Sequence, residues 1–171
     1  HLGNNYPVGK LIVAAGAWTA KVLKRCGIQI LLQDGKGYSI TLKNQAIKPE
    51  IPCILSEDHV AMTPMKEHLR ITGVLEISGL KSRIDNRRLN AFLASVPKYF
   101  PELKVESPLN KEEVWTGYRP LSPDGLPMIG RLKKFKNLYV NSGQGMMGMS
   151  LGPISGKILA DTILGKKPKL E

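Results

Sequence analysis

Apolar positions along the chain change their spacing twice. Near the start, LIVAAGAWTAKVLKR sets a continuous apolar run, Leu11 to Ala15, ahead of Gly16, and then Ala17, Ala20, Val22 and Leu23 at helical spacing. The run predicts a buried strand, Gly16 a turn, and the spacing a helix. From about Ile28 to Leu80 the apolar positions gather into short runs: Ile28 to Leu32, Gly37 to Leu42, Ile51 to Leu55, His59 to Pro64 and Leu69 to Ile77. Asp34, Gly35, Asn44, Pro52 and Pro64 break them up. Short runs between turn residues predict an antiparallel sheet, with Glu67 and His68 in the connection between two of its strands.

The helical spacing then returns. Asp85 can cap a helix whose inner positions are Leu89, Phe92, Leu93, Val96 and Phe100, with arginines on the other face. Pro97 should kink or end that helix early, and Pro101 blocks any continuation. A further strand is expected within Lys104 to Tyr118, and a Pro and Gly loop over Arg119 to Gly130, with Pro123, Asp124 and Gly125 forming a turn. The last fifth repeats the opening logic: a short strand at Leu138 to Asn141, a glycine-rich stretch from Ser142 to Gly152, a helix from Pro153 to Leu164, and Gly165 to end it. The fold class is therefore α+β, with α/β elements flanking an antiparallel sheet. No fixed-period repeat and no low-complexity tract interrupts this order.

Composition narrows the picture. A length of 171 residues with 42% hydrophobic content suffices for a proper core in one compact domain or two small lobes. No apolar run approaches the ~20 residues of a membrane span, so a globular, cytoplasmic protein is expected, with contact at the cytoplasmic face of a membrane left open. The net charge of +11 attracts anions, but its lysines and arginines are spread along the chain, clustering only at Arg131 to Lys136 and Lys166 to Lys169, with few aromatics between them. Solvated faces are thus expected rather than specific nucleic-acid binding. Cys26 and Cys53 have no Cys or His at metal-ligand spacing, and His59, His68 and Glu76 form no metal set. Each of the last three is expected on the strand surface or in a connection. No metal is expected.

Two stretches carry the chemical signal: VWTGYRPLSPDGLPMIG, Val114 to Gly130, and NLYVNSGQGMMGMSLGPISGKILADTI, Asn137 to Ile163. In the second, a strand running into Ser142-Gly143-Gln144-Gly145 and then a helix lets backbone N–H groups approach a ligand closely, with the helix start adding partial positive charge. A turn of this kind can equally serve tight packing alone. In the first, Arg119 offers a guanidinium fork that can hold a carboxylate in bidentate fashion, or brace a loop by pairing with Asp124.

Together these segments resemble the C-terminal signature of the FAD-dependent D-amino-acid oxidase and dehydrogenase family, which includes glycine oxidases and sarcosine oxidases. VAAGAW, Val13 to Trp18, resembles that family's strand and turn before the substrate domain, and KGYSI, Lys36 to Ile40, the segment that enters it. The resemblance implies a partial FAD-binding lobe at 1–30, a substrate-binding antiparallel sheet with one helix at 31–118, and a C-terminal part of the FAD-binding lobe at 119–171. It implies FAD contact at Gly16, Trp18, Gly130, Gly143, Gln144, Gly145, Met146 and Gly148, and amino-acid contact at Arg119 and Tyr38. Tyr38 can also be read simply as a packed strand tyrosine.

The activity so implied is oxidation of a D-amino acid, glycine or a secondary amine, with hydride passing from the α-carbon to flavin and the imino product hydrolysing to keto acid and ammonia. The flavin performs the redox chemistry, which agrees with the lack of any Ser-His-Asp, Cys-His or paired-carboxylate pattern. Gly143, Gly145 and Gly148 satisfy G-x-G-x-x-G, but late in the chain and without an acidic residue at the distance that would take a ribose. The dinucleotide fingerprint is therefore expected in a missing N-terminal segment, leaving this chain inactive and without retained FAD by itself. The competing readings are a non-catalytic binding or structural module of the same fold, and a weak basic nucleic-acid binder.

Overall fold

The computed structural model describes residues 5–43, 45, 48–81, 83–103, 105 and 113–168. The chain divides into two compact units, 1–34 with 119–171, and 35–118.

The first unit is built on a three-stranded sheet. Strand β1 (Leu11–Val13) runs parallel to a later strand, Leu138–Ser142, which also pairs antiparallel with Met128–Arg131. After β1, Gly16 takes a left-handed φ of 53° and opens a 3-10 turn, Gly16–Trp18, that passes into α1 (Thr19–Arg25). Gly27, at φ 67°, closes α1: its N–H donates to the Lys24 carbonyl, and that of Ile28 to the Leu23 carbonyl. This two-bond cap satisfies carbonyls that a helix end leaves orphaned. It also explains why Ile28 to Leu32 is not the strand its apolar run predicts. Ile28 and Ile30 are instead turned onto a core of Val13, Leu23, Leu138 and Val140. Two further expectations shift in this unit. Leu11 and Ile12 are each 46% exposed, and Val22 lies on the outer side of α1 at 40%. A run that reads as buried on both sides is covered on one side only by the described residues.

The second unit is a five-stranded sheet of order β3-β4-β5-β2-β6, where β2 is Gln33–Lys43, β3 Cys53–Leu55, β4 Val60–Pro64, β5 His68–Glu76 and β6 Val114–Leu121. The pairs β3/β4, β4/β5 and β5/β2 are antiparallel. Met65 and His68 exchange backbone hydrogen bonds across Lys66 and Glu67, so His68 already belongs to β5. Alternation puts Tyr38, Ile40 and Leu42 on the same face as Val60, Met62, Leu69 and Ile71. Covering this face are α2 (Asn86–Leu93), through Leu89, Phe92 and Leu93, and the short α3 (Val96–Tyr99), through Val96. Each such side chain contributes roughly 1.5–3 kcal/mol by leaving water. Asp85 caps α2 as its position predicts, its carboxylate accepting from the Arg87 N–H at 2.9 Å. The helical path breaks after Leu93 and restarts with Pro97 in the first turn of α3, where a missing N–H costs least.

Strand β6 runs past Tyr118 to Leu121, so Arg119 and Pro120 stand on a strand and not in a loop. An edge strand tolerates proline because one side of its backbone needs no ladder bond. The expected start of that strand, residue 104, lies outside the described residues. In the first unit, β7 (Met128–Arg131) and β8 (Leu138–Ser142) lead to a second 3-10 turn, Gly145–Met147, and then α4 (Gly148–Ile163). The helix starts five residues before Pro153, which therefore sits inside it. Proline removes the hydrogen bond to the carbonyl four residues back, that of Met149. Met149 is 94% exposed, so water can take that role.

Candidate functional site

The first unit brings most of the candidate residues together. Strands β1 and β8 lie side by side and point the same way, and each passes through a left-handed glycine into a 3-10 turn and a helix. The Ser142 hydroxyl, donating to the Gly16 carbonyl at 3.1 Å, ties the two turns to each other. Gly145 repeats the φ of Gly16 at 56°, and Gly143 is also left-handed at 86°. Neither 3-10 turn, nor α4, has a side chain capping its start. The leading amide N–H groups of a helical turn have no acceptor within the helix itself.

Several glycines of this unit leave room beside the backbone. A Cβ placed on Gly16, Gly130 or Gly148 would meet nothing within 4 Å, and on Gly145 only the Leu121 side chain, at 3.7 Å. Backbone is therefore open to close approach at these four positions. Gly143 differs. Its Cβ would lie 3.3 Å from the Met128 nitrogen and 3.5 Å from the Leu126 carbonyl, so its glycine is already explained by packing of one turn on another. Met146 is 75% exposed and Trp18 47%. Gln144 donates from its amide to the Asn141 side chain at 2.5 Å, and a bridge between Leu121 and Gln144 brings the end of β6 to the same turn.

Arg119 stands two residues before that bridge. It is half-buried, and burial pulls its guanidinium below the ordinary arginine value. It forms no ion pair among the described residues, and the Asp124 carboxylate accepts instead from the Leu126 N–H at 3.0 Å, closing the expected Asp-Gly turn with Gly125 at φ 75°. A half-buried guanidinium has the fork geometry to pair a carboxylate in bidentate fashion.

Tyr38 belongs to the other unit and is 1% exposed. Its hydroxyl donates to the Glu76 carboxylate at 2.5 Å and accepts from the Asp85 N–H at 3.1 Å. Glu76, expected on the strand surface, is instead 8% exposed and paired with Lys36 at 3.1 Å, itself 1% exposed. A bulge produces this. The β2/β5 register slips between Lys36 opposite Glu76 and Tyr38 opposite Gly73, adding one residue to β5, and Val74 takes a left-handed φ of 67°. With period two alone Leu75 would point inward; the extra residue sends Glu76 in and leaves Leu75 49% exposed. Burial pushes the Glu76 carboxyl up, but donors around it, Tyr38 and Lys36 among them, hold it down at about 2. Burial lowers Lys36 while its bonds to Glu76 and Tyr38 raise it, and the net shift is upward.

The chain matches the FAD-dependent oxidoreductase (DAO) family over residues 2–162. It is 34% identical to the D-amino acid dehydrogenase of Bradyrhizobium diazoefficiens over 162 residues, 94% of this chain and 38% of that protein. With the D-amino acid dehydrogenase of Vibrio atlanticus it shares 35% over 156 residues, 90% of this chain and 36% of that protein. The crystal structure of iminodiacetate oxidase from Chelativorans superposes with a TM-score of 0.82 at 23% identity, over 99% of this chain and 46% of that one. Glycine oxidase from Geobacillus kaustophilus gives the same score at 20% identity, over 99% and 45%. The class is thus a mixed helix and antiparallel-sheet fold of the glycine oxidase and amino-acid oxidase kind. The chain belongs to the family of FAD-dependent oxidoreductases, and spans less than two fifths of the length of the D-amino acid dehydrogenases it matches. Among the described residues no helix is long and apolar enough to cross a membrane, and no group of His, Cys, Asp and Glu could hold a metal ion.

Proposed function

We propose that this chain is part of an FAD-dependent oxidoreductase that oxidises D-amino acids, with glycine and secondary amines as the wider range of the same chemistry. The observation that carries this reading is the pair of parallel strands that end in linked, uncapped glycine turns. In this reading Gly16, Gly130, Gly145 and Gly148 offer open backbone to the flavin, Gly143 holds the turn in shape, and Trp18, Gln144 and Met146 flank it. Bound FAD supplies the two-electron acceptor for hydride from the substrate α-carbon. Arg119 pairs with the substrate carboxylate and orients the molecule, and being always charged it does so across the physiological range. The residues of 31–118 form the substrate-binding part, with Tyr38 acting from below the surface by fixing Glu76. Residues 1–30 and 119–171 form part of the FAD-binding lobe. The nucleotide half of FAD is held by a segment outside this sequence, so this chain alone retains no flavin.

An absorbance scan from the near ultraviolet into the visible tests this on the full-length protein and on this chain, each with added FAD and a panel of D-amino acids. The expected result is a flavin band in the full-length protein that bleaches with a D-amino acid, and none retained by the chain. A full-length protein without flavin would overturn the enzyme reading. Stoichiometric flavin on the chain would overturn its dependence on a further segment.

A further inference from the structure

A cleft of about 430 Å³ opens within 35–118, away from the glycine turns in sequence and built from side chains instead of backbone. The buried pair Lys36 and Glu76 lines it, together with Lys81, Arg83, Asp85 and Arg87. Lys36 spends its donors on Glu76 at 3.1 Å, the Arg83 carbonyl at 2.8 Å and the Lys81 carbonyl at 3.3 Å. It therefore does two things at once: it neutralises Glu76, and it pins the loop that carries Lys81 and Arg83. That loop is bent tightly, with the Lys81 N–H donating to the Gly79 carbonyl at 2.7 Å and Gly79 at φ 76°.

Charge around the cleft does not cancel. Asp85 is committed to the start of α2 and lies between Arg87 at 3.7 Å and Arg88 at 3.8 Å. The side chains of Lys81 and Arg83 are exposed and make no ion pair among the described residues. Gathering uncompensated cations around a concave, partly desolvated floor raises the local positive potential, and a cleft focuses that field. The strained conformation of Val74 belongs to the same construction, since the bulge is what brings Glu76 to the floor.

We propose that this cleft binds a small anion carrying two or more negative charges. A single carboxylate would leave part of the charge of Lys81 and Arg83 unanswered, whereas a multiply charged anion can meet ammonium and guanidinium groups together. The size suits this class, being at the lower end of the range of small-molecule sites.

Titration calorimetry on the full-length protein, with pyrophosphate, citrate and acetate at matched ionic strength, tests the proposal. Saturable binding of pyrophosphate or citrate is expected, at least tenfold tighter than acetate, and the tighter of the two tells phosphate from polycarboxylate. The double substitution Lys81→Gln with Arg83→Gln should weaken it at least tenfold. Both side chains are exposed, and the carbonyls that Lys36 holds remain, so folding is not at stake. Lys133→Gln with Lys136→Gln, in the other unit, should change binding less than twofold. No saturable binding, equal affinity for acetate, or equal loss from both double variants would overturn the proposal.

Discussion

The two units use glycine and charge in opposite ways. In 1–34 with 119–171, the candidate site is made of backbone: left-handed glycines, uncapped turns and one hydroxyl that joins them, with Arg119 the sole charged side chain assigned a role. In 35–118 the distinctive feature is side-chain charge taken into the interior, where Lys36, Glu76 and Tyr38 satisfy one another beside a basic cleft. Backbone donors are positioned by the turns that expose them and need little support from elsewhere. Buried charges depend on every partner being present, because each is costly without its counterpart. Small changes should therefore act locally in the first unit and cooperatively in the second.

The largest expected effect breaks the ion pair. Lys36→Met should destabilise the second unit by about 3–5 kcal/mol, because Glu76 would be left as a buried charge. A smaller loss in the double variant Lys36→Met with Glu76→Leu would show that the cost is the unpaired charge and not the lost volume. Denaturant midpoints measure both.

Acid should act on the same pair. Glu76 is held at about 2, below the ordinary value of 4.5, so it binds a proton more readily unfolded than folded. Its stability contribution is fully present above about pH 5 and should fall as pH drops towards 2, and that acid-side slope should shrink in Glu76→Gln.

In the glycine-turn unit, Gly143→Ala should cost about 2 kcal/mol, since a left-handed conformation disfavours any Cβ and this one would also press on Met128. Gly148→Ala, where φ is −54° and nothing lies near, should leave stability unchanged or slightly raised. Thermal melts separate the packing glycine from the open one.

Arg119→Lys should preserve the fold and raise the KM for a D-amino acid about tenfold in the full-length protein, because an ammonium cannot reproduce a bidentate fork. The smallest loss of stability is expected at Asp85→Ala, about 1 kcal/mol from the lost cap of α2.

How much was legible before the structure depends on distance along the chain. The span of α2 could be read from Asp85 and the spacing of Leu89, Phe92 and Leu93, and the connection at Glu67 from the polar break between two apolar runs. Gly165 could be read as a helix stop, and it closes α4 with two hydrogen bonds, Gly165 N–H to the Thr162 carbonyl and Lys166 N–H to that of Asp161. Less legible were elements whose fate hangs on a neighbour. Ile28 to Leu32 looks like a strand until Gly27 uses Ile28 to finish α1, and Arg119 with Pro120 looks like a loop until an edge position accepts them. Glu76 was hidden most completely, because strict alternation puts Leu75 inside and no residue type announces a bulge at Val74.

By itself the sequence determined what short-range chemistry can determine: the helix that follows Asp85, the strand at Leu138, where a glycine must turn, and a pair of motif segments distinctive enough to resemble one flavoenzyme family. Only the tertiary structure decided that Gly16 and Ser142 meet, that Lys36 and Glu76 share a buried bond, and that Lys81 and Arg83 stand over one cleft. The physical reason is that local preference is set by a residue and its near neighbours. Pairing of β1 with β8, or of β2 with β5 in a shifted register, joins residues far apart in the chain, and it is selected by the burial and hydrogen bonding of the whole sheet.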